Sequence, residues 1–240
     1  MFRRLFSRIR PAAFMPSPAP DEQISVIGDV HGRLDLLEKA LAIAPGQIVL
    51  VGDYVDRGED SAGVLRLLLD RPDLICLMGN HEEMMLKFID DPARHGAHWL
   101  RYGGLQTLAS FSVTGVAETS GPEALKAARN GLQAAMGPEL EVWLRSLPSS
   151  WQSGNVAVTH AGADPALPLA QQHDRVLRWG HSDFVKSPRT DGLWIVHGHV
   201  IEEAPQHAAG RINVDTGAYA TGRLSWVTLA DGAITFGCAN

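Results

Sequence analysis

Three times in the first third of the chain, an apolar run ends in Gly-Asp or Gly-Asn and gives way to a helical pattern. Residues 23–29 read as a strand closing in a turn, and apolar positions then recur at helical spacing over 34–42. Residues 47–53 repeat the strand, with a helix over 61–69, and residues 73–80 repeat it again, with a helix over 82–89. Short Val/Ile/Leu runs separated by helices predict a mainly parallel sheet covered on both faces. From about 90 to 153 the pattern is helical, broken by Gly103-Gly104, Gly115, Gly121 and Gly137-Pro138. Trp99, Leu100, Leu105, Leu108 and Phe111 can form one apolar face there, so this stretch reads as a helical insertion beside the sheet. Strand patterns return at 155–160, 193–197 and 211–215, and two more, 223–229 and 233–236, flank the hairpin signal Asp231-Gly232. The expectation is one α/β domain of sandwich character over 22–240, preceded by a basic, Pro-rich tail over 1–21.

Composition narrows the class. The 240 residues are 45% hydrophobic and 20% charged, an ordinary globular balance with room for a sizeable core. The formal net charge of −6 gives no electrostatic footprint for nucleic acid, so none is expected as a partner. Arg3, Arg4, Arg8 and Arg10 fall in the first twenty residues with no acidic residue, which leaves the body more negative still. Attraction for phosphate must therefore come from a local cluster of cations. Cys76 and Cys238 lie far apart without a CxxC spacing, so no disulfide framework is implied and a cytoplasmic setting is expected. No apolar run reaches the roughly 18–20 residues that span a bilayer. Phe2, Leu5, Phe6 and Ile9 could line a short lipid-touching helix, but the prolines at 11, 16, 18 and 20 favour a disordered tail.

Polar residues gather where predicted strands end: Gly28-Asp29, Gly52-Asp53, Gly79-Asn80, His160 and Gly198-His199. In α/β sheets sites form beyond the carboxyl ends of strands, so five segments deliver oxygen and imidazole donors to one region. Such a cluster, if buried, is destabilising unless something cationic holds it together. Taken singly, an Asp or Asn at a strand end is usually a turn former or helix cap.

Three motifs, Gly28-Asp29-Val30-His31-Gly32, Gly52-Asp53-Tyr54-Val55-Asp56-Arg57-Gly58 and Gly79-Asn80-His81-Glu82, occur in that order before His160-Ala161-Gly162 and Gly198-His199. Together they resemble the signature of the phosphoprotein phosphatases of bacterial type, within the calcineurin-like metallophosphoesterases. The resemblance covers nearly the whole chain from Ile24. It implies a sandwich of mixed β-sheets flanked by helices and two divalent metal ions, Mn foremost, with Fe or Zn as alternatives. It implies that Asp29 and His31 hold the first metal, that Asp53 bridges both, and that Asn80, His160 and His199 complete the second. It further implies in-line attack by a metal-bridging hydroxide with no phosphoenzyme, with His81 as general acid oriented by Asp56. Arg57 takes the part of a phosphate clamp. The pattern selects His199 over His197.

One stretch departs from the family. Where bacterial members carry a second phosphate-gripping arginine in Trp-x-Arg, this chain has Arg178-Trp179-Gly180-His181, so His181 or Arg178 takes over or the clamp is weaker. Tyr219 falls near where some relatives place a site-lining tyrosine. The reading favoured is a serine/threonine protein phosphatase acting on a phosphoprotein or small phosphoester. The alternative is a dinucleoside polyphosphate hydrolase. Asp56-Arg57-Gly58 and Glu82 look more like the protein phosphatase branch, and a scaffold with a degenerate site is disfavoured because every expected ligand type is present. Oligomeric state has no signature in the sequence.

Overall fold

The computed structural model describes residues 16–240. In chain order it contains β1 (Ile24–Ile27), α1 (Leu34–Ile43), β2 (Gln47–Leu50), α2 (Ser61–Leu69), β3 (Ile75–Cys76) and α3 (Asn80–Asp90). Then come α4 (Pro92–Trp99), a π turn (Leu100–Gly104), α5 (Leu105–Ser110), α6 (Pro122–Met136) and α7 (Pro138–Ser146). The second half holds β4 (Ser150–Ser153), β5 (Val156–Thr159), α8 (Asp174–Trp179), β6 (Trp194–His197), β7 (Gln206–Ala208), β8 (Arg211–Asn213), α9 (Ala218–Thr221), β9 (Leu224–Ala230) and β10 (Ala233–Ala239).

The strands form two five-stranded mixed sheets, ordered β10-β9-β1-β2-β3 and β4-β5-β6-β8-β7. In the first, β1, β2 and β3 run parallel and β9 and β10 join antiparallel on the β1 side; in the second, parallel β5, β6 and β8 lie between the antiparallel edges β4 and β7. Period-two alternation decides what each strand contributes. Ile24 and Val26 of β1, Val49 of β2, Val156 and Val158 of β5 and Val196 of β6 point into one core between the sheets. Ile27 and Leu50 point the other way, into the helical layer with Leu36, Leu65, Phe88 and Trp99. Ala157 and Ile195 pack outward against Leu177 and Phe184. Burial on both faces is why the central strands read as continuous apolar runs.

The helical insertion is present as α4 through α7, packed on the first sheet's helical side. Its end differs from expectation. Residues 150–153 are β4, pairing Ser150 with Thr159 and Ser153 with Val156. The edge strand β7 was likewise not foreseen, since Gln206, His207 and Ala208 are all exposed. The hairpin at Asp231-Gly232 forms as expected, with φ of 48° and 79° in its two-residue turn between Ala230 and Ala233.

Expectations for the first fifteen residues, a lipid-touching helix or disorder, lie outside the described residues. Residues 16–21, assigned to the tail by sequence, lie against the second sheet. The Trp194 Nε1–H donates to the Pro16 carbonyl (2.7 Å), the Asn155 amide donates to the Ser17 carbonyl (3.0 Å), and the Ala19 N–H donates to Asn155 Oδ1 (2.6 Å). Among the described residues no helix is long and apolar enough to cross a membrane.

Candidate metal centre

The loops after β1, β2, β3, β5 and β6 meet at one rim of the sandwich, where they carry Asp29, Asp53, Asn80, His160 and His199. The turns are tight. His31, Asp53, Asp56, Arg57 and His199 all adopt left-handed backbone, with φ between 44° and 72°. Non-glycine residues rarely adopt it, at a cost of about 1–3 kcal/mol each, so the surrounding packing must impose it. At Gly198 a side chain could not be accommodated, because a Cβ would overlap the Asp29 carboxylate.

Asp53 sits at the middle of the cluster. Its Oδ2 lies 3.5 Å from His31 Nε2 and 3.9 Å from His81 Nε2, while Oδ1 lies 3.4 Å from His160 Nε2. On the second side Asn80 Oδ1 is 2.8 Å from His160 Nε2 and 2.9 Å from His199 Nδ1, and those two nitrogens are 3.2 Å apart. Two groups can thus hold a metal ion, His31 with Asp53 and His81, and Asp53 with His160 and His199. Asp29 stands outside both groups, but its carboxylate accepts the His199 N–H (3.1 and 3.2 Å) and lines the same cavity.

The electrostatics of the cluster suit a cation. Burial holds the His31 imidazole at a pKa of about 3 and His160 at about 4, so both are neutral. His31 Nδ1 donates to the Val55 carbonyl (2.7 Å), which leaves the Nε2 lone pair facing the cavity. Burial, then Asp215 and Asp53, pushes Asp29 well above the usual carboxylate range, and burial pushes Asp215 to about 6. Lone pairs therefore converge on both sides of Asp53, and the Arg57 guanidinium reaches the cluster at His81 Nε2. Mixed nitrogen and oxygen donors of this kind fit two borderline-to-hard divalent ions.

His81 has a different setting. Its Nδ1 is 2.7 Å from Asp56 Oδ2, which turns Nε2 toward the cavity, 3.2 Å from Arg57 Nη2. Burial opposes charge on His81, but Asp53 and Asp56 outweigh it and raise its pKa. The Arg57 guanidinium lies 4.9 Å from the centre of the Tyr219 ring, which stands nearly perpendicular to the His31 ring with centroids 5.4 Å apart. Arg57 lines the cavity beside His81, whereas Tyr219 stands against Arg57 and His31 and lines the neighbouring cleft.

Arg178 and His181 are not brought there. Arg178 donates to Ser149 Oγ (2.7 and 2.9 Å) and pairs with Asp174 and Glu83, and His181 lies 3.7 Å from Asp164. In their place Trp179, between them in sequence, lines the cavity of about 200 Å³ together with Met84, His98 and Tyr102. Arg178 and Trp179 end α8 and His181 lies beyond it; the Trp179 Nε1–H donates to Glu83 Oε2 (3.2 Å), an oxygen that Arg178 also meets at 3.5 Å. His197 faces away, its ring edge against Phe184 at 4.9 Å. Glu82 was valued by sequence only as a branch marker. Its buried carboxylate accepts the backbone N–H groups of Asp53, Tyr54, Val55 and Gly79 (2.7–3.2 Å), tying two donor loops together.

Comparison with known proteins places this geometry. A family model described as calcineurin-like phosphoesterase matches residues 23–203. A Salmonella typhimurium serine/threonine-protein phosphatase 2 is 28% identical over 216 residues, covering 85% of this chain and 91% of its own length. An Oceanobacillus iheyensis protein, bis(5'-nucleosyl)-tetraphosphatase PrpE [asymmetrical], is also 28% identical, covering 85% of this chain and 87% of its own. Among solved structures, a candidate diadenosine tetraphosphatase superposes with a TM-score of 0.64 at 22% identity, covering 91% of this chain and 94% of that one.

Proposed function

Because the chain belongs to the calcineurin-like phosphoesterases, and so is a hydrolytic metallophosphoesterase, we propose that it is a metal-dependent phosphomonoesterase acting on phosphoserine and phosphothreonine in proteins. The observation that carries this reading is Asp53 with one oxygen toward each histidine group, beside the hydrogen-bonded pair His81–Asp56. In this reading Asp29, His31, Asp53, Asn80, His160 and His199 hold two divalent cations, Mn foremost, with Fe or Zn as alternatives. When bound, the cations supply an activated water and offset the charge of the phosphoryl group. The chain's own groups do the rest. Arg57 grips phosphoryl oxygens with its guanidinium fork. As the water oxygen bonds to phosphorus and the bond to the leaving oxygen breaks, His81 Nε2 gives that oxygen its proton, and Asp56 stabilises the charged imidazole beforehand.

Charge beside the clamp favours a peptide over a polyphosphate. A cleft of about 590 Å³ opens at Arg57 and Tyr219 and is bordered by Asp35, Glu38, Glu59 and Asp60. Its one other cation, Arg33, is already paired with Asp35 (2.7 Å). A tetraphosphate laid along it would meet like charge. The second reading, hydrolysis of dinucleoside polyphosphates, draws support from the wall of Tyr102, His98 and Trp179, on which a base could stack, and from the Oceanobacillus relative. A cytoplasmic setting fits two free cysteines.

The deciding experiment is phosphate release by Mn²⁺-loaded protein from a phosphothreonine peptide and from diadenosine tetraphosphate, with Asp53→Asn and His81→Asn as controls. Faster peptide turnover, lost in both variants, is the expected result. Preferential cleavage of the dinucleotide would move the substrate to the second reading. Activity that survives Asp53→Asn would refute the site.

A further inference from the structure

Asp56 is fully buried, and donors reach its carboxylate from three helices. His81 Nδ1 of α3 meets Oδ2 at 2.7 Å, Trp99 Nε1 of α4 meets both oxygens at 3.0 and 3.1 Å, and Thr107 Oγ1 of α5 meets Oδ1 at 2.6 Å. Thr107 also accepts the Asp56 backbone N–H (2.9 Å), so its hydroxyl proton is left for Oδ1 or for Ser61 Oγ at 3.2 Å. Only His81 of these donors lines the cavity. Trp99 and Thr107 belong to the helical insertion, which the reaction as described above does not use.

We propose that Thr107, assisted by Trp99, is a positioning residue for the His81–Asp56 pair. Thr107 grips Asp56 at both its backbone and its Oδ1, and the indole closes over the same carboxylate. The carboxyl plane is thereby locked with Oδ2 facing His81 Nδ1. Because that hydrogen bond sets the ring's direction, the insertion aims His81 Nε2 into the cavity without touching the substrate. The insertion is in this respect a buttress. The inference rests on the reading of His81 as proton donor.

A proton donor matters in proportion to how poor the leaving group is, which separates aiming from general damage. Mn²⁺-loaded full-length protein and the variants Thr107→Val, Thr107→Ser and Trp99→Phe would be assayed on p-nitrophenyl phosphate, whose leaving group needs little protonation, and on phenyl phosphate and a phosphothreonine peptide, whose leaving groups need more. General acids are worth about 10²–10⁴-fold, so a misaimed one should forfeit roughly 30-fold or more in kcat on the two basic leaving groups. On p-nitrophenyl phosphate the expected loss for Thr107→Val is at most about threefold. Thr107→Ser, which keeps the hydroxyl, should restore the wild-type ratio, and Trp99→Phe should fall between. Equal losses on good and poor leaving groups, or no loss, would overturn the proposal. If Thr107→Val melts below the assay temperature, the same ratio for Trp99→Phe decides. A wild-type enzyme that ignores the peptide would sink the protein substrate while leaving the aryl ester comparison intact.

Discussion

The π turn of the insertion offers a test in which the size of the effect follows from geometry. Gly103 has φ 113°, and a Cβ built on it would lie 2.6 Å from the Arg57 backbone nitrogen, 2.9 Å from Arg57 Cγ and 3.1 Å from Asp56 Cβ. Reaching an ordinary separation of about 3.5 Å requires the two strands of backbone to part by roughly 1 Å. Gly103→Ala therefore carries two penalties, about 1–3 kcal/mol for the backbone conformation and about 1–3 kcal/mol for overpacking. The expected destabilisation is about 4 kcal/mol. A shift near 1 Å at Arg57 and Asp56 should also cost on the order of 100-fold in kcat/KM. Gly115→Ala is the control, because Gly115 has φ 81° but a Cβ there meets nothing within 4 Å. It should lose only about 1–2 kcal/mol and keep its activity. Urea unfolding followed by circular dichroism, with p-nitrophenyl phosphate kinetics on the same samples, reads both quantities. Equal destabilisation of the two variants, or Gly103→Ala activity within threefold of wild type, would refute the idea that close approach at Gly103 sets the position of Arg57.

Other outcomes follow from the burial of particular groups. Burial lowers the His197 imidazole to a pKa of about 4, so between that value and the unfolded value near 6.5 the unfolded chain binds a proton that the fold refuses. Stability contributed at neutral pH is lost as pH falls through this window, by roughly 3 kcal/mol near pH 4, and His197→Asn should flatten that part of the wild-type curve. Chelation should lower Tm by about 10–20 °C against protein held at a hundredfold excess of Mn²⁺ over the Kd of each of two sites, and Asp53→Asn should abolish the difference in differential scanning calorimetry. Cys76 is buried and its thiol pushed up to about 12, whereas Cys238 is exposed. A chromogenic disulfide reagent should therefore titrate one thiol in the native protein and two in urea.

Sequence reading reached furthest where pattern and chemistry coincide. The strand ends carrying Asp29, Asp53, Asn80, His160 and His199 were visible because a buried strand is an unbroken apolar run, and the polar residue that ends it stands out. The weak points are where neither signal exists. The edge strands β4 and β7 have little apolar face to pattern, since Gln152 and all of β7 are exposed. The apolar runs predict a mainly parallel sheet and the resemblance implies mixed ones; mixed they are, since β9 pairs antiparallel with β1 from about two hundred residues away, a partnership no local pattern encodes. The orientation of α8 was equally hidden. Arg178, Trp179 and His181 are near neighbours in sequence, and their partners, Glu83, Ser149 and Asp164, lie between 17 and 96 residues away. Trp99 reads as part of an apolar face and Thr107 carries no signal, because their bonds to Asp56 span 43 and 51 residues.

The donors around Asp53 are divided between the sheets in a way that has a bearing on synthesis. Asp29, His31, Asp53, Asn80 and His81 all lie before residue 82, and they follow β1, β2 and β3. His160 and His199 follow β5 and β6, more than seventy residues later, with four helices made in between. A chain leaving the ribosome thus exposes the first histidine group early and cannot assemble the second until the other sheet has docked. An ion seated between Asp53, His160 and His199 would be a late arrival, and its uptake would mark the moment at which the two halves have closed on each other.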